Sequence, residues 1–440
     1  MFERLFVPAE FRDATSDAAW LQAMLDAESA LAAAEAQAGV IPVAAADAIA
    51  VACRADLFDA DALLEAGRAA GNPAEPLVRR LRDVVGGTSA QYVHWGATSQ
   101  DVVDTAAMLV AARTLDSLLG VLDGISDSCA SLADAHRSTP MAGRTLLQQA
   151  VPITFGLTAA GWLVSVREAS SVLARVRAER LAVQLGGAAG TLAPLGDRGA
   201  DVIGRFAEQL GLREPTIPWH SDRVRIAELG SALLVAVTPL AKIALDVALL
   251  AQTEVGEVSD SGAGGSSTMP HKQNPVGSAL AIACSKQVAA HASVLTSSGS
   301  QELERGVGGW HAEWPALSGA LAYTGGTAAA VQQTLSWLRV DAERMAANLR
   351  LTSGLVASER ASFLLSDSLG RQTAYELVAE AAKQAGPRGP TLADLLAADA
   401  RVGLSREELE AALDPATYLG SAEAFVDRAL EAYGEEREAE

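Results

Sequence analysis

Three stretches, residues 104–136, 153–185 and 223–254, each run for about thirty residues rich in Ala, Leu, Glu and Arg with little to stop a helix. These residue types have the best helix propensity, and the runs far exceed the roughly eleven residues of an ordinary globular helix. At roughly 1.5 Å per residue, each would extend about 45 Å. Helices that long draw their stability from neighbours, and Ala-rich faces with spaced Leu and Val suit close antiparallel packing. The expected fold class is all-α, an elongated bundle around these long helices.

Shorter helices flank them. Residues 16–39 place Trp20, Leu21, Met24, Leu25 and Leu31 mainly on one helical face, with Ser16 positioned to cap the start and Gly39 to end it. Beyond Leu351 the runs shorten, "PRGPT" breaks them, and Ser405 and Glu408 have capping-box spacing. Boundaries near 105 and 350 follow, giving an N-terminal helical domain (1–105), a central long-helix domain (106–350) and a C-terminal helical domain (351–440).

Composition works by exclusion. Half of the 440 residues are hydrophobic, enough for a large core, and the formal net charge of −20 is the wrong sign for a sequence-independent grip on nucleic acid. An anionic small molecule needs only local positive charge. The most apolar segment, "LGSALLVAVTPLAKIALDVALLAQ" from Leu229, is cut by Pro239, Lys242 and Asp246, so it reads as a buried bundle helix and not a membrane span. The opening residues carry no basic segment followed by an apolar run, and Cys53, Cys129 and Cys284 have no paired spacing. A reducing cytoplasm is expected.

One stretch interrupts the helical pattern: "GAGGSSTMPHKQNP", residues 262–275. No strand pattern precedes it, and its lysine does not follow a glycine as a phosphate-cradling loop requires. Small polar residues suit a plain connector. Yet Met269 before Pro270, and His271 and Lys272 bracketed by Pro270 and Pro275, with adjacent hydroxyls, also suit a proton donor beside a charge stabiliser. "GGAAG" from Gly186 is led into by a helix, which excludes a dinucleotide fingerprint.

"GSSTMPHKQNP" resembles the signature of the fumarase/aspartase superfamily of all-helical lyases. "HWGATSQDVVDTA" from His94 is similar to its first shared region and "GRTLLQQAVPITFG" from Gly143 to its second. The resemblance continues through "QLGGAAGT" at Gln184 and "LDPATYLGSAEAFVDRAL", so it spans nearly the whole chain. It implies a homotetramer whose active sites each combine the three regions from three subunits, acting on a small anionic polycarboxylate without metal or organic cofactor. It assigns proton exchange with carbon to Ser266 and carboxylate binding to Lys272 and Asn274. His94, Thr98, Ser99, Thr145 and Gln148 match groups that surround the substrate, and Arg305 matches a carboxylate-holding arginine. Arg144 reads as structural support for the second region. His136, His220, His291 and His311 lack partners at metal-ligand spacing and read as surface or structural residues.

Where fumarases and adenylosuccinate lyases read "GRTH", this chain reads "GRTL", so Leu146 replaces a histidine that assists the leaving group. Either the enzyme is dead or its leaving group needs no proton. A carboxylate, whose conjugate acid has a pKa of about 4, departs bare, whereas hydroxide or an amine does not. The branch of the superfamily that lacks this histidine is that of the bacterial 3-carboxy-cis,cis-muconate cycloisomerases. The resemblance therefore implies cycloisomerisation to 4-carboxymuconolactone through an aci-carboxylate. The alternatives are adenylosuccinate lyase, for which Leu146 is awkward, or a lyase expelling another stabilised anion such as nitrite.

Overall fold

The computed structural model describes residues 2–260, 264–265, 269 and 272–439. Eighteen α-helices dominate the described residues, with three two-stranded antiparallel pairs between them. By internal contacts the chain forms two compact units. The first is Met1–Asp123, Glu168–Lys242 and Ala279–Val331, and the second is Gly124–Arg167, Ile243–Ser278 and Gln332–Glu440.

Five long helices supply segments to both units: Ser99–Ala135, Phe155–Glu179, Val224–Leu250, Val276–Ser297 and Gly309–Trp337. The first three occupy the stretches read from sequence, with the second starting later and ending earlier because strand and extended backbone take its flanks. The last two were not singled out; the second of them carries Gly319, Gly325, Gly326 and Pro315, which look like breaks. In the helix Ser99–Ala135 every residue from 100 to 112 is buried, after which Leu115, Leu118, Leu122, Ile125 and Cys129 continue as one buried stripe. A head buried on all sides forces any charge within it to find a partner.

In the first unit, the helix Asp17–Gln37 starts where the Ser16 side chain accepts a hydrogen bond from Ala19 N–H, and Gly39 adopts a left-handed backbone just beyond its end. It packs against the helices Val43–Ala52 and Gly199–Leu210. Burial extends well past the expected apolar face, taking in Glu28 and Glu35 at 1 % exposure each. Neither Glu35 oxygen has a hydrogen-bond partner among the described residues, and burial first, then the Glu28 charge, pushes this carboxyl up to about 9. Glu35 is therefore a neutral acid near pH 7.

Within the second unit, the region after residue 139 is a hairpin and not a helix. Strand β1 (Pro140–Thr145) pairs with β2 (Gln148–Thr154), and a register irregularity lies between Ala142 and Arg144. A short strand, Val258–Asp260, does precede the signature stretch, paired with Leu338–Val340, and Gly264–Gly265 pairs with Gln273–Asn274. Strands of two or three residues are too short to show an alternating pattern, which corrects the sequence expectation. Helices from Ser358 onward enclose a cluster that includes Leu365, Leu377, Leu392, Leu396 and Leu409. Ser405 and Glu408 form the capping box read from sequence.

Two helices, Ser99–Ala135 and Val224–Leu250, are long and apolar enough to cross a membrane by composition alone. Of their most apolar windows, 67% and 50% are buried inside the fold.

Glu35 makes stability depend on pH. Its folded pKa lies above its unfolded value, so the native state holds an extra proton between pH 4.5 and 9 and stability falls as pH rises through that window. The limiting slope is about 1.4 kcal/mol per pH unit. Glu35→Gln should flatten the fall of the denaturant midpoint between pH 6 and pH 9, and a variant with the wild-type pH dependence would contradict this.

Candidate active site

In the first unit the predicted residues Thr98 and Arg305 are joined through one hydrogen-bonded assembly, Ser99 opens the helix that carries it, and His94 is bonded separately to Glu28. Thr98 N–H donates to Asp101 Oδ2 at 2.9 Å, just before the helix that Ser99 opens. Gly186 and Gly187 N–H donate to the two Asp101 oxygens, each at 2.9 Å, and His220 Nε2 lies 2.6 Å from Oδ1. Gly187 has a φ of +66°, and a Cβ there would sit 2.7 Å from Gly96 O, so only glycine allows this approach. Arg305 donates to Gln100 Oε1 at 3.0 Å and to Ala188 O at 2.9 Å.

One turn along the same helix, Asp104 accepts both Arg223 Nη atoms at 2.8 and 2.9 Å and Trp310 Nε1 at 2.9 Å. Arg223 also pairs with Glu313, and all three charged groups are under 5 % exposed. Burial opposes the Arg223 charge, but the two carboxylates more than reverse it, so its pKa is raised. Gln100 ties this cluster to Arg305, donating to Asp104 Oδ2 at 3.1 Å and to His220 O at 2.8 Å. His220, read from sequence as a surface or structural residue, is buried within this assembly.

His94 has a left-handed backbone (φ +62°) and its Nδ1 lies 2.6 Å from Glu28 Oε1. Burial lowers its pKa, whereas the charge and hydrogen bond of Glu28 and the charge of Asp101 raise it by more, and the net shift is upward.

The second unit holds the other predicted residues. Thr145 and Gln148 face each other across the end of the hairpin, both exposed. Between them Leu146 and Leu147 form the two-residue turn, both left-handed (φ +50° and +63°) and 97% and 71% exposed. Asn and Gly normally fill such positions, and leucine costs roughly 1–2 kcal/mol at each. Strain and exposed apolar surface thus coincide at one tip. Lys272 is exposed and Asn274 pairs with Gly264. Ser266 and His271 lie outside the described residues.

Arg144 anchors this hairpin, donating to both oxygens of Glu257 at 2.9 and 2.6 Å. Glu257 is fully buried, immediately precedes the strand Val258–Asp260 that leads to the signature stretch, and accepts Asn348 Nδ2 at 2.8 Å. The structural role read for Arg144 holds. Sequence reading missed Gln100, Asp101, Asp104, Glu28 and Glu257. For the aspartates a signal existed, since they are charges at helical spacing entering an otherwise apolar run.

No group of three or more His, Cys, Asp or Glu among the described residues is placed to hold a metal ion. A cavity of about 640 Å³ in the first unit, lined by Trp20, Leu63, Trp314 and Tyr323, contains none of the predicted residues. Its walls bear Glu3 and Asp17 but no Lys or Arg, which is wrong for a polyanion.

Comparison with known proteins settles the lineage. A family model described as lyase matches residues 7–290, and one described as adenylosuccinate lyase C-terminus matches 354–429. The chain belongs to the fumarase/aspartase lyase superfamily. This superfamily member is 45% identical over 431 residues to a 3-carboxy-cis,cis-muconate cycloisomerase of Bradyrhizobium diazoefficiens, covering 96% of each chain. It is 46% identical over 433 residues to a nitrosuccinate lyase of Streptomyces davaonensis, covering 95% of this chain and 91% of that one. The crystal structure of a 3-carboxy-cis,cis-muconate lactonizing enzyme from Pseudomonas putida matches with a TM-score of 0.94 at 41% identity, over 99% of each chain.

Removing the Arg144 charge would leave Glu257 buried and unpaired. Arg144→Met should lower unfolding free energy by about 3 kcal/mol, read as a drop in denaturant midpoint. An unchanged midpoint would show that the pair does not hold the hairpin.

Proposed function

We propose that this chain is a 3-carboxy-cis,cis-muconate cycloisomerase, forming 4-carboxymuconolactone. The observation that carries this reading is the near full-length likeness to several enzymes of that name, at 37% to 45% identity. Leu146 at the hairpin tip agrees with it, because a weakly basic carboxylate needs no acid to depart or be regenerated.

In this reaction one carboxylate oxygen forms a C–O bond with the far carbon of a conjugated double bond. The displaced electron pair moves onto another carboxyl group as an aci-carboxylate, and a proton then adds to the adjacent carbon, so atoms and electrons balance without oxidant or reductant. Ser266 supplies that proton. Lys272 and Arg305 stabilise the developing charge, each such preorganised interaction contributing a few kcal/mol. His94, Thr98, Ser99, Thr145, Gln148 and Asn274 hold the remaining carboxylates.

The reading includes a cytoplasmic homotetramer with sites shared between subunits. Two features support it. Thr145 and Gln148 flank an exposed apolar tip, and the helix Val224–Leu250 leaves Leu234, Val235 and Leu245 about 40–50% exposed, a surface suited to a neighbouring copy.

A second reading, elimination of nitrite from nitrosuccinate, is favoured by the likeness to the Streptomyces davaonensis enzyme. It shares the physical requirement, since nitrite is also a weakly basic anion that leaves bare. Purified protein should consume 3-carboxy-cis,cis-muconate, seen as loss of the diene's ultraviolet absorbance, and leave nitrosuccinate, adenylosuccinate and fumarate unchanged. Nitrite release without diene loss would establish the second reading. Ser266→Ala should abolish turnover with the assembly intact, and near-normal turnover would remove this serine from proton transfer.

A further inference from the structure

Glu28 sits inside the helix Asp17–Gln37 and is 1 % exposed, with His94 as its hydrogen-bonded partner at 2.6 Å. The His94 side chain is itself only 12 % exposed. A buried carboxylate without a counter-charge costs several kcal/mol, so this geometry favours a cation opposite it. His94 is also held in a left-handed backbone, which a non-glycine residue adopts only when its surroundings over-determine it.

The other charged groups that act on His94 are Asp101, which favours the cation, and Arg82, which opposes it. On Glu28's own helix Glu35 is neutral, raised by burial and by the Glu28 charge. Glu28 occupies Nδ1, which leaves Nε2 as the ring nitrogen available to a ligand.

We propose that Glu28 is a positioning residue that holds His94 as an imidazolium, making His94 a fixed cationic N–H donor to a substrate carboxylate and not a base. This rests on the reading that His94 lines the polycarboxylate site. A neutral imidazole there would offer a weaker donor or, in the other tautomer, a lone pair that repels the carboxylate. With Lys272 and Arg305, the cation brings three positive groups to a tricarboxylate substrate.

The test is the pH profile of KM for 3-carboxy-cis,cis-muconate in the full-length enzyme. Wild-type KM should stay level from pH 6 to pH 8. For Glu28→Gln it should match the wild type within about threefold at pH 6 and rise about tenfold per pH unit once His94 loses its proton, with kcat changing far less. His94→Gln should raise KM at every pH. If His94→Gln raises KM but Glu28→Gln follows the wild-type profile, the role of Glu28 is wrong while the site reading stands. If His94→Gln leaves KM unchanged, the site reading itself fails. Nitrogen-15 NMR of histidine-labelled wild-type enzyme, assigned with His94→Gln, reads the charge without a Glu28 variant. An imidazolium at pH 7.5 agrees with the proposal, and a neutral ring overturns it.

Discussion

Two buried aspartates one helical turn apart, Asp101 and Asp104, organise the first unit. They sit at the head of a 37-residue helix in a segment with no solvent access, and a charge there persists only if donors converge on it. The glycines at 186 and 187, His220, Arg223 and Trp310 are all drawn to these two carboxylates. A helix start is also where the backbone dipole favours negative charge. Because Thr98 and Gln100 belong to the same assembly, the posture of Arg305 follows from it through Gln100.

The second unit solves a similar problem with one fully buried glutamate. Glu257 lies between the hairpin that presents Thr145 and Gln148 and the segment that leads into the signature stretch, and Arg144 and Asn348 satisfy its oxygens. In both units predicted site residues on turns and hairpin ends, such as His94, Thr98, Thr145 and Gln148, sit beside buried acids that fix the surrounding backbone. This division suits catalysis of charge development, since donors fixed beforehand need no reorganisation when the anion forms.

Much of this was legible locally. The Ser16 cap and the Ser405–Glu408 capping box were readable because both partners lie within one turn. The hairpin was not, because two leucines in left-handed positions contradict ordinary turn chemistry. The helix Gly309–Trp337 was hidden by its own glycines, which serve close packing. A Cβ at Gly325 would lie 2.1 Å from the Phe11 ring. The signature stretch was recognisable by its residues alone, whereas Glu28 with His94 and Arg144 with Glu257 join positions 66 and 113 apart, which no local pattern records.

In the proposed mechanism the chemistry rests on a departing or attacking anion stable enough to need no proton, which would let an exposed leucine occupy the tip of the hairpin. The most direct measurement is the turnover of Leu146→His with 3-carboxy-cis,cis-muconate, with assembly checked in parallel. Restoring a proton donor at that position should give no gain in kcat, because there is no poor leaving group to assist. A tenfold or greater rise would mean that the bond-breaking step is limited by proton delivery, and the account would be wrong at its centre.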